Sequence, residues 1–236
     1  MSAPVVSFDS KYYPYRKVQS GYNEMQGAEE IPYKVLWYLM DMPDADGYEP
    51  IDDNSRPRVR LMKYLIYDGE QPLSEALPSP QDKLSILFDP QNPDANTDLD
   101  HVQHPYGYRL YAQNNFGQSQ LDAQTIIKCY IDRVVANSDF TQTLALAFEI
   151  WTNVNYESNT ATKAYNRAYD IEQCIIEALH GIDMTGVGTI QFNQRVHGDC
   201  GSRAIYDEYT NTGRKLTMCV VWNETTNNID ADSNAI

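Results

Sequence analysis

Apolar residues recur at helical spacing twice in the first third of the chain. Ile31, Val35, Leu36, Leu39 and Met40 surround Pro32, whose missing N–H would have no partner in a first helical turn, and they predict an amphipathic helix over 30–41. Val59, Leu61, Met62, Leu65 and Ile66 lie between Pro57 and Gly69 and predict a second helix. The apolar run at 84–88 predicts a strand, and the Pro, Asn, Asp and Gly content of DPQNPDANTDLDHVQHPYG after it predicts a long surface loop.

Beyond residue 122 the period changes to two. Ile127, Cys129 and Ile131 alternate with Lys128, Tyr130 and Asp132, and Leu144, Leu146, Phe148 and Ile150 alternate with Ala145, Ala147 and Glu149. Both segments read as half-buried strands of a hairpin joined through VANSDF. Ala164, Ala168, Ile171, Ile175, Ala178 and Leu179 then mark one helix face, with Thr160 or Thr162 as the starting cap and Gly181 at a left-handed end. Ile190 with Phe192, then 204–209, then Leu216, Met218, Val220 and Trp222 predict three more strands, the last two joined by a TNTGR turn.

The order predicts an α+β fold: a mostly antiparallel sheet with a helix packed on one face, preceded by helices and long loops. Four regions follow: an extended, tyrosine-rich arm over 1–28, helices and a loop-rich insertion over 29–121, the α+β core over 122–223, and a polar C-terminal tail over 224–236.

Charge narrows the function. The chain of 236 residues carries 33 acidic and 18 basic side chains, a net charge of −15, and both halves share the excess. Affinity for nucleic-acid phosphates is built from clustered Lys and Arg, so a protein acting mainly through such affinity is excluded. The N-terminus has neither the basic stretch nor the apolar run of a secretory or lipidation signal, and no segment approaches 18 consecutive apolar residues, so no membrane association is expected. Cys129, Cys174, Cys200 and Cys219 are scattered, which fits thiols in a reducing compartment.

Catalytic motifs fail one at a time. Gly181 to Gly186 has the spacing of a phosphate loop, but Val187 stands where Lys is needed, and Gly186-Val187-Gly188 follows a helix rather than a strand. Gly117-Gln118-Ser119-Gln120-Leu121 lacks the closing glycine of a nucleophile elbow. His101-x-x-His104 and His197-x-x-Cys200 supply ligand types that zinc prefers, yet they lie far apart in loops. Asp44, Asp46 and Gly47 match part of an EF-hand, with Met42 in the first ligand position. His197, Asp199 and Cys200 can be drawn as a thiol–imidazole–carboxylate set, but residues so close along the chain rarely converge that way. No catalytic residue, metal ligand or cofactor is therefore expected.

Aromatic residues make up 11% of the chain, with 18 tyrosines, and tyrosine is favoured at interfaces for its large amphipathic area. Tyr12, Tyr13 and Tyr15 in the arm, and His101, His104, Tyr106 and Tyr108 in the long loop, are the expected partner contacts.

The hairpin TIIKCYIDRVVANSDFTQTLALAFEIWTN, the helix AYNRAYDIEQCIIEALHG and the segments GVGTIQF and RAIYDEYTNTGRKLTMCVVW together resemble the tail terminator and head-to-tail joining proteins of tailed bacteriophages. In that family a similar helix lies on an antiparallel sheet, and the final strands follow a turn of the Gly213-Arg214 type. The resemblance implies a non-enzymatic virion protein, assembled in the host cytoplasm into a homo-oligomeric ring. Such a ring joins the portal to neighbouring tail or ring proteins while DNA passes through its lumen without specific binding. The N-terminal region, about 120 residues, is larger than in compact terminators, which leaves two roles open: a cap on a long tail, or a connector ring in a short-tailed phage, as in the crAss-like group. The alternative expectation is a glycan- or host-protein-binding accessory module that uses the aromatic loops, and a third is a metal hydrolase around the His/Cys pairs.

Overall fold

The computed structural model describes residues 28–42, 51–87, 109–112, 125–136, 141–153, 166–196, 198–206 and 211–223. The architecture is α+β: helices pack on a curled, mostly antiparallel mixed sheet.

Helices α1 (Ile31–Leu39) and α2 (Pro57–Ile66) form where periodicity places them, each with proline in its first turn. Helix α3 (Pro80–Leu87) occupies the segment expected to be a strand at 84–88. Its start decides the matter. The Ser79 hydroxyl accepts the Asp82 N–H at 3.2 Å and donates to the Asp82 carboxylate at 2.7 Å, a capping pair behind Pro80 that an apolar run read alone does not disclose.

Strands β1 (Leu110–Tyr111), β2 (Ile126–Ala136) and β3 (Thr141–Asn153) lead to helix α4 (Arg167–Leu179), followed by β4 (Asp183–Met184), β5 (Gly188–Gln191), β6 (Gly201–Tyr206) and β7 (Asn211–Asn223). The order across the sheet is β1-β2-β3-β7-β5-β4, with β1 parallel to β2 and the other pairs antiparallel. Strand β6 also pairs with β7, so β5 and β6 share one long edge: Gln191 lies opposite Cys219, and Gly201 opposite Thr217.

Two boundaries differ from expectation. Helix α4 begins at Arg167 and is capped by Asn166, whose side chain accepts the Tyr169 N–H at 2.9 Å, so neither Thr160 nor Thr162 is the cap. Gly181 does adopt the left-handed conformation, with φ of 82°. Strand β7 takes in Asn211 to Arg214, so Gly213-Arg214 is paired with β3 and is not a turn. Gly213 is needed there for room, because a Cβ would lie 1.9 Å from the Ile150 carbonyl oxygen.

One hydrophobic cluster holds these layers together. Ile127, Cys129, Leu144, Leu146, Phe148, Ile150, Leu216, Met218 and Val220 on the sheet meet Ile171, Ile175 and Leu179 of α4, and the same cluster takes in Val35, Leu36 and Leu39 of α1 and Leu61 and Leu65 of α2. Helices α1 and α2 thus pack into the same core as the sheet and α4. No helix among the described residues is long and apolar enough to cross a membrane.

Candidate functional site

The alternate positions of the three long strands form a second, polar face. Register places Lys128 opposite Glu149 and Glu149 opposite Lys215, a row of alternating charge across β2, β3 and β7. Tyr130 sits beside it, and its hydroxyl donates to Glu149 Oε1 at 2.5 Å while accepting from Lys215 Nζ at 3.0 Å. Lys215 Nζ also donates to Asp132 Oδ1 at 3.0 Å and stands 5.2 Å from the centre of the Tyr130 ring. Trp151 Nε1 reaches the other Glu149 oxygen at 3.4 Å.

These contacts set the protonation states. Burial, reinforced by the hydrogen bond to the Glu149 carboxylate, pushes the Tyr130 phenol up to about 12. Burial works against the Lys215 ammonium, but its bonds to Tyr130 and Asp132 outweigh that and raise its pKa. Lys128 goes the other way: burial lowers it, and the Glu149 charge offsets only part of the effect. Phenol and ammonium therefore both hold their protons at neutral pH.

The row opens at the β6 end into a cavity of about 370 Å³. Its walls include Asp132, Lys215 and Thr217 from the long strands and Cys200, Ser202 and Arg203 at β6. Ion pairs tie this rim to the rest of the fold. Arg133 Nη1 meets Asp199 Oδ2 at 2.9 Å. On the helix side Glu172 of α4, almost fully buried, accepts from both Arg214 and the Ser202 hydroxyl, the latter at 2.6 Å. The sheet, the helix and strand β6 are thus joined through a single carboxylate.

All seven expected partner contacts, Tyr12, Tyr13, Tyr15, His101, His104, Tyr106 and Tyr108, lie outside the described residues. So do Asp44, Asp46, Gly47, Gly117 to Leu121, His197 and the tail over 224–236. Of the set His197, Asp199 and Cys200, Asp199 is engaged by Arg133, and the Cys200 thiol faces the Gln191 carbonyl at 3.9 Å. Gly186-Val187-Gly188 forms the turn into β5, with both glycines at positive φ, and its valine is buried in the core. Among the described residues no group of three or more His, Cys, Asp or Glu is arranged to hold a metal ion.

The cavity and its charged row were not singled out in the sequence, although the alternation of Lys128, Tyr130 and Asp132 is their signal. What alternation alone does not supply is the register that sets Glu149 and Lys215 beside them. Comparison with protein-family models, with curated proteins and with solved structures gives no match.

Proposed function

We propose that this chain is a non-enzymatic structural virion protein. It forms a homo-oligomeric ring in the head-to-tail connector or neck of a tailed phage, as a tail-terminator-like domain with a helical N-terminal extension. The observation that carries the reading is strand β6. It pairs with β7 along one edge, and no other described strand pairs with its outer edge. Ser202, Arg203 and Ala204 are exposed, and Tyr206 is 82% exposed. An open strand edge is a template for another chain, and heterologous contacts that close by rotation pair every such edge without leaving one bare.

The charge of −15 supports the same reading, since a lumen lined by carboxylates repels DNA phosphates and lets the genome pass, whereas Lys and Arg would bind it. Titratable groups on the polar face are engaged in pairing between strands, which suits a scaffold more than a catalyst. The virion would be its location, with the portal and adjacent tail proteins as its partners.

The test is light scattering behind size exclusion on purified protein, alone and mixed with portal protein, followed by negative-stain imaging. A ring in either sample is the expected result. A monomer that stays monomeric and binds no phage component overturns the reading.

A further inference from the structure

The four cysteines are free thiols and all are buried, but they are not equivalent. Cys129 and Cys174 belong to the hydrophobic cluster under the helices. Cys200 and Cys219 lie outside that cluster and converge on one backbone acceptor instead. Both thiols face the same acceptor, the Gln191 carbonyl oxygen, at 3.9 and 3.1 Å, and Cys219 also points at the Asn193 carbonyl at 3.8 Å. Burial first, and the neighbouring Cys200 thiol after it, raise the Cys219 pKa to about 12.

Their place in the fold explains the approach. Gln191 is the register partner of Cys219 at the end of β5, and Cys200 immediately precedes Gly201, where β6 joins the same edge of β7. The chain between β5 and β6 brings the second thiol back to the first. Cys200, 2% exposed, also lines the cavity of about 370 Å³, whose wall carries Asp132, Asp199, Arg203 and Lys215, whereas the fully buried Cys219 does not line it.

We propose that Cys200 and Cys219 form an oxidation site, in which a peroxide entering the cavity joins the two sulfurs into a disulfide that staples the start of β6 to β7. The Cys200 thiolate attacks one oxygen of hydrogen peroxide, the O–O bond breaks, and the departing hydroxide takes a proton to leave as water. The resulting sulfenic acid is attacked by the Cys219 sulfur. The S–S bond forms, the S–O bond breaks, and the hydroxyl leaves as a second water with the Cys219 proton. Two thiols are oxidised and one peroxide is reduced to two waters. Cys200 acts first because it lines the cavity, and Cys219, which does not line it but shares the Gln191 acceptor, is the resolving thiol.

The proposal is independent of ring formation, because its readout is taken on the isolated chain. Trypsin places each cysteine on a separate fragment: Cys129 in 129–133, Cys174 in 168–195, Cys200 in 196–203 and Cys219 in 216–236. Folded full-length protein is treated with hydrogen peroxide, unfolded in alkylating reagent and digested for mass spectrometry. The expected product is fragment 196–203 linked to fragment 216–236, lighter than their sum by two hydrogens, with Cys129 and Cys174 alkylated. In Cys200→Ser the 216–236 fragment should stay alkylated. Oxygen added at Cys200 with Cys219 still a thiol, links that include Cys129 or Cys174, or no reaction short of unfolding would each overturn the proposal.

Discussion

The helical region and the polar face of the sheet both use buried or half-buried cations, but in opposite ways. In the helical region the cations cap backbone. The chain leaves α1 through Met40 and Asp41, the latter in a left-handed conformation, and carbonyls at this end are met by side chains from other elements: Lys83 Nζ reaches the Met40 and Asp41 oxygens at 3.2 and 3.1 Å, and Arg58 reaches Tyr38 at 3.1 Å. Arg58 also pairs with the buried Asp41 carboxylate at 2.8 Å. The end of α2 is met in the same manner by Arg167, fully buried, which donates to the Tyr64 and Tyr67 carbonyls. On the sheet, by contrast, Lys215 meets side-chain oxygens that have other partners and some access to water. A cation on helix-end carbonyls serves acceptors at the point where the helix's own N–H donors run out. A cation in a charged row shares its work with its neighbours.

Removing a member of the first kind should therefore cost the most. Arg167→Ala deletes the largest fully buried side chain among the described residues, leaves the Tyr64 and Tyr67 carbonyls without this donor and opens a cavity between α2 and α4. A loss of about 3–5 kcal/mol in denaturant unfolding is expected. A loss under about 1 kcal/mol would mean that water replaces the guanidinium and that helix-end capping is not what holds α2 to α4.

The sheet has one position of comparable weight, and it is backbone rather than charge. Gly213→Ala puts a methyl against the Ile150 carbonyl in the paired strands β3 and β7, where neither backbone can yield without breaking the ladder. The expected cost is about 2–4 kcal/mol, read as a lower thermal midpoint with an unchanged unfolding slope if the sheet keeps its register.

The same contrast governs how much could be read from the chain. Strands β2, β3 and β7 were legible because alternation over many residues fixes which face is buried, and α4 because its apolar stripe and Gly181 agree. The α+β class follows from that order. Helix α3 is not legible from its apolar run, which fits either period, and its deciding feature is the Ser79–Asp82 cap. The Gly213-Arg214 segment was assigned to a turn because glycine with polar neighbours signals one, whereas here the glycine serves a close approach of strands. The capping cations and the Cys200–Cys219 pair were not legible at all, since each joins residues whose nearness exists only after the strands and helices pack.

Alkaline titration sharpens the comparison on the sheet side. The Tyr130 phenol is raised from 10.0 to about 12 by burial and by the Glu149 carboxylate. A folded pKa above the unfolded one contributes stability that is fully present below pH 10 and lost as pH rises through 12. Tyr130→Phe should therefore be less stable than the parent below pH 10, by roughly 1 kcal/mol, the usual scale for one hydrogen bond. The gap should narrow and then change sign between pH 10 and 12, because a shift of this size outweighs one hydrogen bond. A gap independent of pH would show that the phenol contributes through packing alone.

The smallest effect is expected where the pair is most exposed. Arg133 and Asp199 meet at 2.9 Å, but their side chains are 61% and 39% accessible, so water and salt screen the attraction and two long side chains are ordered to make it. Arg133→Ala should change unfolding by less than about 1 kcal/mol, and by less still in high salt. The pair nevertheless bridges the bulged end of β2 to the segment that carries Cys200. If its role is to position that segment, Arg133→Ala should slow disulfide formation by peroxide severalfold while the melting temperature stays nearly constant. Equal rates in the two proteins would assign the placement of Cys200 to the β6–β7 ladder and to the Gln191 carbonyl alone.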